Sequence, residues 1–216
     1  MNQTPAQRHR QRVQAKVEAE QNADTAYTDD HTGYELQLVQ LAEHKRQLKS
    51  IQSIEKKVEL KQTIIGEYDA YIDGILEANA GGSNEVVTTL LLWHIDVGNY
   101  DRALAITTYC LEHSLPTPDG HKRTTATVVA EEFADASLKH GSVSAAQLAT
   151  VASLTAAQDM PDQVRAKLHK ASGYQHREAE QLPQALAELQ RALALNEAAG
   201  VKKDIERLER DLKNSA

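Results

Sequence analysis

The sequence predicts an all-α protein: amphipathic N-terminal helices or a helical hairpin, followed by stacked helical hairpins. Three observations predict it. Aromatic residues make up 4% of the 216-residue chain, with one Trp and one Phe, while Ala, Leu, Glu and Gln abound. That composition favours helices packed through aliphatic and small side chains over sheets rich in Val, Tyr and Phe. Apolar residues recur at spacings of three and four, and capping residues and helix breakers punctuate those runs. An apolar fraction of 41% supports a core, and the length permits one large or two to three small domains.

The first helix starts at Thr4, Pro5 and Gln7, with the Thr hydroxyl as cap, Pro at the first helical position and Gln reaching back. It offers only Val13 and Val17 as apolar anchors and carries Arg8, Arg10, Arg12 and Lys16. The expectation is therefore a flexible basic arm and linker over residues 1–33, the polar stretch ADTAYTDDHTG closing it. Thr32 and Glu35 form a second capping signature.

Beyond it, Tyr34, Leu38, Leu41 and Leu48 share one helical face. A second stripe runs Ile51, Ile54, Val58, Ile65, Tyr68, Ile72 and Ile75, with Lys61 in its seam. This is either one long helix or a hairpin broken near Ser50 to Ser53. Gly66 and Gly74 lie off the stripe and are expected merely to weaken the helix. Residues 34–80 are expected to form a helical pairing region.

The GGS at 81 to 83 reads as a hinge, after which Asn84 caps VVTTLLLWHIDV, the best candidate for a buried central helix. Its neighbour runs from about Tyr100 to His113. LPTPDGHKR forms a loop, Thr124 opens the next helix, and Ser142 or Ser144 the one after. Residues 84–158 are expected to form a central helical domain. Met160 and Pro161 mark another boundary, and residues 161–216 read as a C-terminal helical domain with helices near 162 to 178, 182 to 197 and 201 to 214. In HREAEQLPQALAELQRALALN, the alternation of small and large residues gives the C-terminal section a tetratricopeptide-like rhythm.

The net charge of −7 is unevenly spread. Residues 1 to 62 hold ten Lys or Arg against nine Asp or Glu, the remainder fourteen against twenty-two. A polyanion is repelled by the average molecule but accepted by its N-terminal third. There, Lys45, Arg46, Lys49, Lys56, Lys57 and Lys61 fall within seventeen residues, and the pairs Lys45 with Lys49 and Lys57 with Lys61 each share a helix face. A solvated helix face and a phosphate-binding surface both fit this pattern. The residues lack the Gly-containing turn expected between the helices of a helix-turn-helix.

Catalytic machinery is missing. Asp24, Asp29 and Asp30 lie in a polar linker without a supporting constellation, and Glu131, Glu132 and Asp135 read as the polar side of one helix. There is no GxxxxGK[ST] loop for nucleotide phosphates. His94, His113, His121 and His140 are scattered as surface or satisfied core residues, and Cys110 reads as a small buried hydrophobe. No cofactor is expected. The N-terminus lacks the apolar centre of a signal peptide, and no run approaches membrane-spanning length, so the expected location is the reducing cytoplasm with no membrane partner.

Four segments, TPAQRHRQRV (4 to 13), TGYELQLVQLAEHKRQLKSIQSIEKK (32 to 57), LLWHIDVGNYDRALAITTYCLEHSLPTP (91 to 118) and TVVAEEFADASL (127 to 138), together resemble the terminase small subunits of P2-like tailed phages. The resemblance implies a non-catalytic subunit that binds the packaging site in double-stranded viral DNA. It also implies a homo-oligomer, ring-like in form, that recruits or regulates a terminase large subunit owning the ATPase and nuclease. Such a protein acts in the cytoplasm of the infected bacterium and is absent from the mature virion. By position, residues 34–80 become the DNA-binding region and residues 84–158 the oligomerisation domain, with Arg8, Arg10, Arg12, Lys45, Arg46, Lys49, Lys56, Lys57 and Lys61 as DNA-contact candidates. Ile51, Ile54, Val58, Ile65, Tyr68, Leu90, Leu91 and Trp93 become oligomerisation candidates, and Leu186, Leu189, Leu193 and Leu208 candidates for docking the large subunit. The alternative readings are a helical protein-binding adaptor without specific DNA recognition, and a Mg-dependent endonuclease.

Overall fold

A computed structural model of the chain describes residues 4–24, 32–118 and 123–214, apart from the side chains of residues 22–24 and 32. Asp24 as a side chain, Asp29, Asp30, His121 and the Thr32 cap fall outside that description. The described residues are helices, turns and irregular connections, and they divide between two compact units, Met1–His121 and Lys122–Ala216.

The first unit contains α1 (Pro5–Asp24), α2 (Thr32–Ser50), α3 (Ile54–Ile64), a 3-10 turn (Ile65–Glu67), α4 (Asp69–Ala78), α5 (Glu85–Asp96) and α6 (Tyr100–Glu112). The cap at its start is as read: the Thr4 amide donates to Gln7 Oε1 at 2.8 Å and the Gln7 amide to Thr4 Oγ1 at 3.3 Å. The helix opened by this cap is not a free arm. Helix α1 lies along α4, burying Ala15 and Ala19, and the Arg12 guanidinium pairs with Glu77 across the contact, holding that carboxyl below its ordinary range.

The close approach depends on Gly74. A β-carbon there would press on the Arg12 carbonyl oxygen and lie 2.8 Å from Ala15 Cβ, so this glycine is where two backbones meet rather than a mere weakening of the helix. Replacing Gly74 with Ala gains about 0.8 kcal/mol of helix propensity but forces α1 outward, and overpacking of this kind costs about 1–3 kcal/mol. The expected outcome is a net loss of about 0.2–2 kcal/mol in urea titration, with amide exchange accelerated across α1. Unchanged exchange in α1 would count against the contact.

The stripe from Ile51 to Ile75 does not make one helix. The chain breaks over residues 51–53, Ser53 caps α3 by accepting from the Lys56 amide at 3.3 Å, and the 3-10 turn separates α3 from α4. The segment capped by Asn84 is buried as read: the Val87 amide donates to Asn84 Oδ1 at 3.1 Å, and Val86, Val87, Leu90 and Leu91 have almost no exposure. Helix α5 returns as α6 over three residues, closing a hairpin whose inner surface holds Ala103, Ile106 and Cys110.

The second unit contains α7 (Thr125–His140), α8 (Ala145–Thr155), α9 (Asp162–Glu178), α10 (Leu182–Leu195) and α11 (Lys202–Asn214). Thr124 caps α7, and Ser144 rather than Ser142 opens α8, in a reciprocal capping box with Gln147. The boundary at Met160 and Pro161 separates two helices but not two bodies, because α9 packs on α7 as well as α8. Between α9 and α10, Gly173 sits against Leu189 Cγ, 2.8 Å from where a β-carbon would stand. Ala185, Leu189, Val201, Ile205 and Leu208 form the core that α11 closes.

Candidate nucleic-acid interface

The basic residues singled out from sequence separate into two groups according to what they touch. Lys45 pairs with Glu85 at 2.8 Å, Arg46 with Glu43, three residues back on α2, and Arg12 with Glu77. Lys61 pairs with Asp96 and lies over the Trp93 ring, 5.9 Å from its centroid. These cations are engaged within the chain. Lys49, Lys56 and Lys57, by contrast, have no ion pair among the described residues, and neither have Arg8 and Arg10.

The position of Lys56 and Lys57 argues against a purely structural role. Both lie in the first turns of α3, where the partial positive charge of a helix N-terminus repels cations by some tenths of a kcal/mol. Basic side chains beside exposed backbone amides suit an anion. Lys49 stands in the last turn of α2, where a cation complements the helix dipole. Only the three non-helical residues 51–53 separate α2 from α3, so the three free ammonium groups flank one tight connection. The turn contains no glycine, and the Ser53 cap starts the second helix three residues after the first has ended.

A buried aromatic stack mounts this connection on the first unit. His44 of α2 and the Tyr68 hydroxyl are hydrogen-bonded at 2.8 Å, their rings edge to face. Tyr68 meets Trp93 of α5 in the same way, with centroids 6.3 Å apart, and Lys61 of α3 covers Trp93. Burial holds His44 below its usual range and pushes the Tyr68 hydroxyl well up, so both are neutral near pH 7. The stack thereby ties α2, α3 and α5 to the residue before α4. Sequence reasoning missed His44 and Asp96, since nothing local marks them as partners of Tyr68 and Lys61.

Burial also redistributes the apolar candidates. Tyr68, Leu90, Leu91 and Trp93 are core residues of their own unit, closed to a second copy. Ile51, Val58 and Ile65 are half-buried, while Ile54 is 79% exposed. In the second unit Leu189 and Leu208 are buried, and the half-buried Leu186 and Leu193 pack against the same cluster. A docking partner does not reach Leu189 or Leu208 in this fold.

Among the described residues no group of three or more His, Cys, Asp or Glu is placed to hold a metal ion. Glu131 and Asp135 meet Lys167 at 3.3 and 3.0 Å, and Arg123 and Lys139 add to the network. It joins α7 to α9. Cys110 is buried, its thiol pushed up to about 12 by desolvation, which suppresses the reactive thiolate. His94 is buried but unsatisfied, both ring nitrogens lacking a partner, which departs from the satisfied core histidine expected.

A sequence profile described as phage small terminase subunit matches residues 38–163. The chain is also similar to a protein of Escherichia phage P2 named "Terminase, endonuclease subunit". The two are 42% identical over 214 residues, covering 97% of this chain and 86% of that protein. That similarity continues through the C-terminal helices, beyond the segments that carried the resemblance in sequence. No solved structure matches the chain. On the extent of both matches, the chain belongs to the family of phage small terminase subunits.

Proposed function

We propose that this small terminase subunit serves phage DNA packaging by gripping duplex DNA at the packaging site with the α2–α3 connection, several copies acting together, and delivering it to a large subunit that owns the ATPase and nuclease. The observation that carries this reading is that Lys49, Lys56 and Lys57 have no ion pair among the described residues, while Lys45, Arg46 and Lys61 near them are paired within the chain. Phosphate attraction supplies affinity, and base contacts or DNA shape supply the choice of site. The chain's part is placement through effective concentration, with the cutting chemistry left to the large subunit.

In this reading the copies assemble into a ring, and the complex works in the cytoplasm of the infected host. The α9–α10 hairpin, tetratricopeptide-like in packing small against large residues, docks a helix of the large subunit through its exposed side. In this reading residues 34–80 hold the DNA grip and residues 161–216 the large-subunit dock, with α1 a docked helix of the first unit. No described helix is long and apolar enough to cross a membrane.

The test is binding of the purified protein to its cognate packaging DNA and to a scrambled duplex across a salt series. The expected result is a preference for the cognate site, with affinity falling steeply as salt rises. Equal affinity for both duplexes, with the large subunit present as well, would overturn the reading.

A further inference from the structure

The outward face of α1 carries two exposed valines that no described part of the chain covers. The face toward α4 is occupied through Arg12, Ala15 and Ala19, and the side toward α2 through Glu18, whose carboxylate accepts from the Gly33 amide at 3.2 Å. On the remaining side Val13 and Val17 stand 46% and 43% exposed. They are neighbours one helical turn apart, and no other part of the described chain covers them.

The charges along α1 run against the helix dipole. Arg8, Arg10 and Arg12 fill the first half, Lys16 follows just past the middle, and Glu18 and Glu20 lie beyond it, with no acidic residue in the first turn and no basic one in the last. Alone, this order costs helix stability. It becomes favourable when two such helices lie antiparallel, because each basic half then faces the other's acidic half and the two dipoles oppose.

We infer that α1 pairs antiparallel with α1 of a second copy about a two-fold axis level with residue 15. In that register Val13 of each copy faces Val17 of the other, and Arg10 faces Glu20. Arg10 has no ion pair of its own among the described residues, and Glu20 has only a loose one with Lys16 at 3.9 Å, between exposed side chains. Leu36, 66% exposed, borders α1 in a groove shared with Arg10 and Gln14 and flanks the contact. The contact is isologous and closes at two copies, so a larger ring needs a second, different contact. It also sets two α2–α3 connections in inverted orientation, as two half-sites of opposite polarity on a duplex require. With two valines per copy at its centre, it falls with small, transient interfaces, so the pairing is concentration-dependent and salt-sensitive.

The inference rests on the reading that the protein holds DNA as an assembly, and its test is run without DNA. Sedimentation of the full chain over a wide concentration range is compared for the natural sequence, Arg10→Glu, Glu20→Arg and an equimolar mixture of those two variants. Each variant alone sets like charges opposite one another twice per pair and is expected to raise the dimer Kd about tenfold. The mixture restores both opposite-charge contacts and is expected to return to within about twofold of the natural sequence. That recovery also shows that both variants are folded. Variants that associate like the natural protein, a mixture no better than its components, or a natural protein that stays monomeric throughout would each overturn the pairing. DNA preference of the natural protein, measured separately, decides the proposed function whichever way the sedimentation falls.

Discussion

Exchanging Lys56 and Lys57 together for Glu is expected to weaken binding to packaging-site DNA by about 100-fold or more at modest salt and to shrink the slope of log affinity against log salt by about 2 for each chain engaged. The reason is counterion release: each lysine seated on a phosphate frees about 0.9 of a condensed cation, and both contacts are lost. Stability should not fall. Neither ammonium has an ion pair to lose among the described residues, and acidic side chains in the first turns of α3 favour the helix dipole by some tenths of a kcal/mol. Fluorescence anisotropy across a salt series, with thermal unfolding alongside, reads both quantities.

Lys61→Met makes the opposing control. It removes the pair with Asp96 and the contact over Trp93, so it should lower the unfolding midpoint while leaving the salt slope in place. If the Lys56 and Lys57 exchange left the slope untouched, the α2–α3 connection would have to be abandoned as the DNA site.

Lowering the pH from 6.5 to about 4 is expected to destabilise the first unit by about 3 kcal/mol through His94 alone. His94 is 1% exposed, and burial first, then the Arg102 charge, push its pKa down to about 4. The folded protein therefore keeps the ring neutral, whereas the unfolded chain takes up a proton near the ordinary value of 6.5. In the interval between, the unfolded state binds more protons, so stability is full above 6.5 and drains as pH falls, by about 1.4 kcal/mol per pH unit. His44, also held low by burial, adds to the fall in the same sense.

His94→Leu should flatten most of that slope. At pH near 7.5 it should leave stability equal or higher, since it replaces two unpartnered buried nitrogens with apolar atoms of similar bulk. Urea unfolding followed by circular dichroism at a series of pH values is the measurement. A His94→Leu protein with the natural pH slope would assign the acid sensitivity elsewhere.

Several features of the fold were legible in advance because their causes are local. The cap at Thr4 and the caps by Asn84 and Thr124 follow from a side-chain oxygen within three residues of the amide it satisfies, and the helices from Asp162 to Asn214 from apolar spacing between Pro161, Pro183 and Gly200. The burial of α5 followed from an apolar run too continuous for one wet face. Other readings depended on distant chain. The helix after Thr4 looked too polar to join a core, yet it docks on α4 because Gly74, Ala15 and Ala19 let the helices approach closely. Small side chains carry little hydrophobic signal, so periodicity overlooks them.

The amino-acid order by itself determined that this is a helical chain, where most helices begin and end, and which third of it tolerates a polyanion. Those outcomes are settled by neighbours within a few residues and by net composition. Tertiary structure alone decided which cations remain available to phosphate. Arg12 finds Glu77, Lys45 finds Glu85 and Lys61 finds Asp96 across separations of 65, 40 and 35 residues, and charge neutralisation of that range comes into being only when packing brings the helices together.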